Sequence, residues 1–309
     1  MAINVPSQNE KINLDRILKE NLDLVSFSTM RVHSVARYAA FPTELGEIRA
    51  LLSWARGKNI PTAILGGGSN TLAGDDGVDG LLIITTGMTH FHINGEMFCV
   101  RCGLTLESAI DHASEAGLAG LEMLGGIPGT VGGAIWGNAG VDAAQISTTL
   151  YYVDYLTMDG KLHRMQIHAD DFSYRHSPFM DMQPVILYEA AFRLTPTRQT
   201  AQLRIIKEGT KAHRREQHQY DCPNLGCFFK NPQGQVAGTL IEEAGLKGKK
   251  IGGAMVSPYH ANFIVNTDGT ATGGDVRSLS ELVQRTVKER TGVELQYEIT
   301  FLGSWKKRT

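Results

Sequence analysis

The sequence predicts a fold of mixed helices and strands that is divided into two or three subdomains. The chain has 309 residues, more than a single hydrophobic core usually serves. Apolar residues recur along it at both helical and strand-like spacing, without internal repeats. Glycine is the unusual residue type, with 34 copies, many of them in clusters. Glycine gathers where the backbone takes positive φ or approaches another group closely.

The first part of the chain predicts a strand–helix–strand arrangement. Residues 43–58 carry apolar groups at helical spacing, with acids early and bases late, as in an amphipathic helix. A short apolar strand then leads into the glycine loop LGGGSN, residues 65–70. A further strand is predicted at residues 80–85, so the loop connects two strands.

The middle of the chain is predicted to hold one helix and several strands. The helix covers residues 105–117, where Thr105 can cap its start and Gly117 ends it. Seven glycines then fall within residues 125–140. Regular helices and strands do not tolerate that density, so we predict a structured loop there. The strands of this part are predicted at residues 90–101, 150–157 and 185–194.

A change of composition at residues 195–200, TPTRQT, marks a predicted boundary before the last part of the chain. A basic helix follows and leads to a strand that contains Cys227. A later helix is expected to stop at Gly245, and the last one to be capped by Asp275. The elements predicted here are helices over residues 201–217, 234–244 and 275–290 and a closing strand over residues 294–303.

Composition limits the classes of function. Charged residues make up 20% of the chain and the net charge is −2, whereas nucleic-acid-binding proteins are usually more basic. No apolar run approaches the ~20 residues of a membrane span. Residues 1–15 lack the basic-then-apolar pattern of a signal peptide. We therefore expect a cytoplasmic enzyme with no nucleic-acid partner, no membrane span and no obligate protein partner.

The four cysteines raise the alternatives of a metal site, a disulfide or buried thiols. Cys99 and Cys102 have the spacing of a zinc or redox pair, but they lie in a predicted strand entering a turn. Cys222 and Cys227 have no histidine pattern nearby. Without a signal peptide, disulfides are not expected. We therefore predict no metal site and favour buried free thiols for Cys99 and Cys102.

Two glycine loops are candidate binding sites for an anion. The loop at residues 65–70 lacks the third glycine of a dinucleotide-binding fingerprint, since Thr71 occupies that position, and no phosphate-binding P-loop pattern is present. It still offers a run of backbone N–H groups beside polar side chains. GIPGTVGG, residues 126–133, offers a second such run with Thr130. Either loop alone could be a tight turn without a ligand, but two together favour a large phosphate-bearing ligand.

Five motifs in order give a specific resemblance that spans about residues 27–303. They resemble the UDP-N-acetylenolpyruvoylglucosamine reductase (MurB) family, within the vanillyl-alcohol-oxidase-type flavoproteins. The short interval between FSYRHSPF and GCFFKNPQG leaves no room for a tyrosine-bearing lid insertion, so the chain is similar to the shorter branch of that family. The motifs lie at residues 61–72, 120–140, 172–179, 226–266 and 292–303.

The resemblance implies an α+β fold in which FAD lies between two subdomains and a third domain binds the substrate. The implied division is residues 1–85 and 86–196 for the FAD-binding subdomains and residues 197–309 for the substrate-binding domain. The implied reaction is the reduction of an enolpyruvyl UDP-sugar to UDP-N-acetylmuramate, with NADPH as the donor. The residues predicted to bind the cofactor are Gly66, Gly67, Gly68, Ser69, Asn70, Thr71, Gly125, Gly126, Gly129, Thr130, Gly132, Gly133, Asn138 and Gly140.

Three catalytic residues follow from matching the motifs. Hydride arriving at a vinyl carbon leaves negative charge on its neighbour and on the attached carboxylate, so the site needs a cation, a hydrogen-bonding acid and a proton donor. Arg175 and Glu298 match the first two roles. Cys227 matches the proton donor, for which many relatives carry serine. The residues predicted to bind the substrate are Tyr174, Lys230 and Asn231.

Each role has a structural alternative. Arg175 could form a surface salt bridge, Glu298 could be an exposed strand carboxylate, and Glu294 is close enough to be confused with it. Cys227 could be a core cysteine. His260 could line the site, but ordinary packing explains this residue equally well.

The chain departs from the family pattern in several places. Leu225 stands where a small residue is usual, and residues 218–219 replace a Gln-Pro pair. Residues 28–42 replace a more glycine-rich opening. Two rival functions stay open: another FAD oxidoreductase that acts on an alcohol or sugar, and a non-catalytic UDP-sugar binder.

Overall fold

The computed structural model describes residues 12–141, 144–182 and 184–305. Within them, three sheets of four or five strands follow one another along the chain, and apolar clusters pack against each. Helices and strands are mixed in the α+β manner that was predicted. No helix in this described part is both long enough and apolar enough to cross a bilayer.

The first unit is a four-stranded sheet covered by one helix. The elements are β1 (Leu18–Asp23), β2 (Val35–Ala40), α1 (Leu45–Gly57), β3 (Thr62–Leu65), β4 (Thr71–Ala73) and β5 (Val78–Ile84). The strand order is β1-β2-β5-β3, with β2, β5 and β3 parallel and β1 antiparallel at the edge. Helix α1 buries Ile48, Leu51 and Leu52 on its sheet-facing side. This confirms the helix predicted over residues 43–58 and the strand near residues 80–85.

An antiparallel sheet of five strands forms the second unit. The elements are β6 (Phe91–Asn94), β7 (Met97–Arg101), α2 (Leu106–Glu115), β8 (Leu118–Ala119), α3 (Val131–Trp136), β9 (Gly140–Val141), β10 (Ala144–Gln145), β11 (Leu150–Thr157), β12 (Leu162–Gln166), β13 (Val185–Arg193) and β14 (Thr195–Pro196). The strand order is β12-β11-β13-β7-β6. Thr105 caps α2 by accepting a hydrogen bond from the Ser108 N–H, as predicted. The single strand predicted at residues 90–101 was wrong, because Gly95, at φ +60°, turns it into the β6–β7 hairpin.

The glycine-rich stretch at residues 125–140 also differs from the predicted loop, because it contains helix α3. Thr130 caps this helix by accepting a hydrogen bond from the Gly133 N–H at 3.2 Å. A Cβ atom at Gly132 would lie 2.9 Å from the Cβ of Cys102, so glycine lets the helix pack closely on the turn that follows β7. The glycines therefore permit close packing of a helix, which a composition argument alone does not reveal.

The third unit is a four-stranded antiparallel sheet with two helices packed against it. The elements are α4 (Thr200–Glu216), β15 (Asn224–Cys227), α5 (Ala237–Glu243), β16 (Lys250–Ile251), β17 (Ala254–Val256), β18 (Phe263–Asn266), α6 (Gly273–Thr291) and β19 (Thr300–Leu302). The strand order is β15-β18-β17-β16. The predicted cap of the last helix was wrong: Thr272 is the N-cap and Asp275 completes a capping box with it. Helix α5 is shorter than the predicted helix over residues 234–244.

Two elements join the third unit to the others. Strand β19 pairs in parallel with β4 of the first unit, so only residues 300–302 of the predicted closing strand form a ladder. Helix α4 lies against α2 of the second unit, where Lys207 Nζ is 2.8 Å from Glu107 Oε1. These two contacts close the third unit over the space between the first two.

Candidate active site

A cavity of about 1000 Å³ lies where the three units meet. Both predicted glycine loops and all three predicted catalytic side chains line it. The predicted residues that line the cavity are Gly66, Gly67, Gly68, Ser69, Asn70, Thr71, Gly129, Thr130, Gly132, Gly133, Gly140, Arg175, Cys227 and Glu298.

The two glycine loops touch each other along one wall of the cavity. A Cβ atom at Gly67 would lie 2.8 Å from the Cα of Gly129, and one at Gly66 would lie 2.8 Å from Thr130 Oγ1. Ser69 Oγ donates a hydrogen bond of 3.0 Å to the carbonyl of Pro128. The two loops thus form one continuous cradle of glycine-rich backbone and short polar side chains, which suits a phosphate-bearing ligand.

Gly68 is the most constrained residue of the cradle. Its φ is +63°, and a Cβ atom there would lie 1.9 Å from the carbonyl oxygen of Phe27. Thr29 N donates a hydrogen bond of 3.1 Å to the Gly68 carbonyl. The opening segment that departs from the family pattern therefore still packs directly on the first glycine loop.

Three residues predicted to bind the cofactor do not line the cavity. Gly125 and Gly126 lie under helix α4, where a Cβ atom at Gly125 would be 2.6 Å from Thr210 Oγ1. Asn138 is buried, and its Nδ2 donates hydrogen bonds to Gln145 Oε1 and to the Ser173 carbonyl, both at 2.9 Å. These contacts are internal to the protein.

Arg175 and Glu298 form a half-buried ion pair that faces the cavity. Arg175 Nε lies 2.7 Å from Glu298 Oε1, with 24% and 16% of the two side chains exposed. The remaining guanidinium nitrogens donate to the carbonyls of Asn138 at 3.4 Å and Gly140 at 3.2 Å. The backbone of Arg175 is left-handed, with φ +54°, which is uncommon for a residue with a side chain.

Glu298 is held by backbone contacts from two units. Its N–H donates to the Phe228 carbonyl at 2.9 Å, and its own carbonyl accepts from Asn70 Nδ2 at 3.0 Å. Burial raises the pKa of the Glu298 carboxyl above its ordinary value, against the opposing charge of Arg175. Glu294, the alternative considered from sequence, instead pairs with Lys288 on the surface.

Cys227 lies at the end of β15 and contributes its side chain to the cavity wall. Burial raises the pKa of its thiol to about 12; the Glu298 carboxylate acts in the same direction and Arg175 opposes it. The thiol therefore stays protonated well above neutral pH. Leu225, the unusual neighbour, is buried in the core of the third unit.

The residues predicted to bind substrate are close to the Arg175–Glu298 pair. They are not among the described residues that line the cavity. Lys230 Nζ donates to the Arg175 carbonyl at 3.3 Å. Asn231 Oδ1 accepts from Ala237 N at 3.0 Å, and the Asn231 N–H donates to the Tyr174 hydroxyl at 3.4 Å. Each of them therefore contacts protein groups that support the site.

Sequence reasoning missed Arg214, which projects from α4 into the same cavity. Arg214 NH1 donates to Gln219 Oε1 at 3.0 Å. Burial lowers the pKa of this guanidinium, although an arginine keeps its charge. Two arginines stand side by side in the sequence, and only the rotation of the helix decides which of them faces inward.

The other candidate groups give no second site. All four cysteines are free, and Cys99 and Cys102 are buried as expected. Within the described residues, His, Cys, Asp and Glu form no group of three or more that could hold a metal ion. Burial lowers the pKa of His260, which packs against Phe263.

Comparison with known proteins extends this picture to nearly the whole chain. Residues 36–166 match the model of an FAD binding domain, and residues 217–302 match that of the UDP-N-acetylenolpyruvoylglucosamine reductase C-terminal domain. The chain is 39% identical to the UDP-N-acetylenolpyruvoylglucosamine reductase of Synechococcus sp. (strain WH7803) over 93% of its length and 94% of that protein. It is 38% identical to the protein of the same name from Caldicellulosiruptor saccharolyticus, over 96% and 95%.

A solved structure agrees with the sequence relatives. The crystal structure of UDP-N-acetylenolpyruvylglucosamine reductase (MurB) from Thermus caldophilus matches with a TM-score of 0.77 and 32% identity, covering 92% of this chain and 99% of that one. The fold and the glycine cradle define an FAD-binding flavoprotein with an added C-terminal α+β domain. More narrowly, the chain belongs to the UDP-N-acetylenolpyruvoylglucosamine reductase family.

Proposed function

We propose that this protein is an FAD-dependent oxidoreductase that uses NADPH to reduce UDP-N-acetylglucosamine-enolpyruvate to UDP-N-acetylmuramate, a step of peptidoglycan precursor synthesis. One observation carries the proposal. The Arg175–Glu298 pair and the Cys227 thiol face the same cavity as the two glycine loops. An acid, a cation and a proton donor therefore surround one space large enough for a cofactor and a substrate.

The glycine cradle fits the diphosphate of FAD. Both loops line the cavity, and a Cβ atom at Gly66, Gly67 or Gly129 would meet the opposite loop. We propose that residues 66–71 and 129–133 hold the cofactor. When bound, FAD accepts reducing equivalents from NADPH and supplies the hydride that the substrate receives.

Arg175 and Glu298 are proposed to stabilise the charge that develops on the substrate. A guanidinium can bind the substrate carboxylate through two parallel hydrogen bonds. The Glu298 carboxyl, whose pKa is raised by burial, can donate a hydrogen bond when protonated. Both groups are already fixed by protein contacts, so little reorganisation is needed as the charge appears.

Cys227 is proposed to deliver the proton that completes the reduction. With a thiol pKa of about 12, it is protonated throughout the neutral range. Arg214 and Lys230 add positive charge around the same region, which suits the diphosphate of a UDP-sugar. We propose Lys230, Tyr174 and Asn231 as contributors to substrate binding that also support the Arg175 backbone.

The wider assignment follows from the reaction. NADPH and UDP-sugars are cytoplasmic metabolites, so we infer that the protein acts in the cytoplasm. The proposed division of labour assigns residues 1–85 and 86–196 to FAD binding and residues 197–309 to the substrate. The substrate itself is a small molecule, and we propose no obligate protein partner.

The decisive experiment separates the two halves of the reaction. Under anaerobic conditions, NADPH should bleach the flavin absorbance of the purified protein, and the enolpyruvyl UDP-sugar should then restore it. A protein that binds no flavin would be a binder without redox activity. A flavin that the enolpyruvyl UDP-sugar does not reoxidise, but that an alcohol or a sugar reduces, would place the chain in another activity class.

A further inference from the structure

The segment at residues 217–223 contains the departure from the family pattern at residues 218–219 and forms part of the cavity wall. We name it the strap. Five consecutive residues of the strap line the cavity: Gln219, Tyr220, Asp221, Cys222 and Pro223. Asn224 Nδ2 holds its backbone by donating to the carbonyls of Gln219 at 2.9 Å and Cys222 at 2.8 Å. The strap is thus an ordered element on the substrate side of the cavity.

One side chain of the strap reaches across to the FAD-binding half. Tyr220 donates a hydrogen bond of 2.7 Å from its hydroxyl to the carbonyl of Gly126. A Cβ atom at Gly126 would lie 2.4 Å from that hydroxyl, and Gly126 has φ +77°. Glycine at this position is therefore what allows the tyrosine to approach.

The Gly126 peptide is also held from its other side. Its N–H donates to Glu107 Oε2 at 3.3 Å. Glu107 in turn pairs with two lysines of α4, Lys207 at 2.8 Å and Lys211 at 2.7 Å, and Lys207 is buried. Helices α2 and α4 thus hold the N–H of Gly126, and the strap holds its carbonyl.

A short stretch of chain connects this peptide to the cradle. Pro128 accepts the hydrogen bond from Ser69, and Gly129 packs against Gly67. Residues 126–129 therefore link the strap to the cradle. The Tyr220–Gly126 hydrogen bond joins this stretch to the strap, and the Ser69–Pro128 hydrogen bond joins it to the first glycine loop. The strap and the cradle both depend on the position of Gly126, so a displacement of the strap is passed on to the cradle.

We propose that Tyr220 is a positioning residue that couples substrate binding to FAD retention. The inference rests on the proposed function, because the substrate is taken to bind against the strap. Substrate bound against the strap stabilises the hydrogen bond from the Tyr220 hydroxyl to the Gly126 carbonyl, and this bond holds the second glycine loop in place around the cofactor. Binding coupling is reciprocal, so bound FAD strengthens substrate binding by the same factor.

The test uses the holoenzyme and the hydroxyl alone. Flavin fluorescence reports FAD release after dilution of the oxidised protein, with and without saturating enolpyruvyl UDP-sugar and without NADPH. The ratio of the two FAD dissociation constants is the coupling factor. The test variant is Tyr220→Phe, and the matched control is Tyr259→Phe, which keeps the ring that stacks on His218 of the strap.

We expect substrate to tighten FAD binding equally in the parent and in Tyr259→Phe. In Tyr220→Phe the coupling factor should fall about three- to tenfold, the worth of one hydrogen bond, while the thermal midpoint stays near that of the parent. An unchanged coupling factor in Tyr220→Phe would overturn the inference, since substrate would then only block the cofactor's exit. Weaker substrate binding with the coupling factor intact would also overturn it, because the hydroxyl would be a direct substrate contact.

The proposed function can be judged separately in the same samples. If NADPH-reduced parent protein is not reoxidised by the enolpyruvyl UDP-sugar, the proposed function fails and the coupling inference fails with it. If the parent turns over normally and Tyr220→Phe keeps the full coupling factor, only the inference fails.

Discussion

Among single residues, Glu298 has an environment that shifts the pKa of its carboxyl. Its carboxyl is mostly buried, and burial raises its pKa even though Arg175 lies 2.7 Å away. A carboxyl that keeps its proton at higher pH than usual can act as a hydrogen-bond donor to an anion. A carboxylate that served only as a counter-ion would be destabilised by the same environment, because burial disfavours its charged form.

This leads to a pH prediction for flavin reoxidation by substrate. Because the folded pKa lies above the ordinary value, the protonated fraction of Glu298 falls as pH rises through that raised pKa. Reoxidation should slow in the same window, by up to about tenfold per pH unit above it. Glu298→Gln keeps a donor that does not titrate, so its profile in single-turnover stopped flow should be flatter. An equally steep profile in Glu298→Gln would assign the titration to another group.

Arg175 supplies the second residue-scale prediction, because its planar fork is already aimed by two carbonyls and one carboxylate. Arg175→Lys keeps the charge and loses the fork. We expect reoxidation by substrate to fall about a hundredfold, while flavin reduction by NADPH survives. The two half-reactions are measured separately by stopped-flow absorbance. Equal losses in both would mean that Arg175 holds the fold.

Cys227 gives a third prediction with a different readout. Its pKa of about 12, against an ordinary 9.0, leaves about a thousandfold less thiolate at neutral pH. Iodoacetamide should therefore label Cys227 slowly in the folded protein and at an ordinary rate after denaturation, as peptide mass spectrometry can show. Cys227→Ser should keep substantial activity, and Cys227→Ala should lose orders of magnitude in reoxidation with FAD content kept. A fully active Cys227→Ala protein would contradict the donor role.

Residue identities were more predictable than residue environments. Motif order singled out Arg175, Cys227 and Glu298 as the catalytic candidates, and the structure places all three at one cavity. The high thiol pKa could not be predicted from motif order, because it comes from burial between elements far apart in sequence. Arg214 was missed because its role depends on helix rotation and on the strap that folds back over it.

At the scale of elements, the glycine cradle has a single tightest point at Gly68. Its positive φ is not special by itself, since Gly95 in the β6–β7 turn has φ +60°. The difference is space: a Cβ at Gly95 meets nothing within 4 Å, whereas one at Gly68 would lie 1.9 Å from the Phe27 carbonyl. Comparing the two glycines separates backbone strain from crowding.

We therefore predict opposite outcomes for the same substitution. Gly95→Val should cost about 1–2 kcal/mol for the left-handed backbone and still purify yellow. Gly68→Val should lose FAD, because the segment at Phe27 must move and the first glycine loop moves with it. Flavin absorbance per mole of protein, together with the thermal midpoint, measures both. Full flavin loading of Gly68→Val would refute the assignment of this loop to the cofactor.

Amphipathic elements were predictable and closely packed ones were not. Helices α1, α2 and α6 were located from apolar periodicity, although Thr272, not Asp275, caps α6. Helix α3 escaped prediction because Gly132 allows it to pack closely on Cys102, a contact that no local pattern encodes. Strand β12 escaped as well, since its mostly exposed residues show no apolar alternation.

For the whole molecule, the site exists only because all three units contribute to it. The cradle spans the first and second units, Arg175 comes from the second, and Cys227 and Glu298 come from the third. The parallel pairing of β19 with β4 brings Glu298 beside the first glycine loop. Two neighbouring side chains of that loop point to different partners: Ser69 bonds to Pro128, and Asn70 bonds to the Glu298 carbonyl.

The last prediction is that these neighbours control different parts of the reaction. Ser69→Ala removes the bond between the two glycine loops, so FAD should dissociate about three- to tenfold more readily. Asn70→Ala frees the Glu298 backbone, so reoxidation by substrate should slow several-fold with FAD release unchanged. Flavin fluorescence after dilution and stopped-flow reoxidation measure the two effects. If Asn70→Ala instead releases FAD as Ser69→Ala does, Asn70 contacts the cofactor directly, and its bond to the Glu298 carbonyl does not control reoxidation.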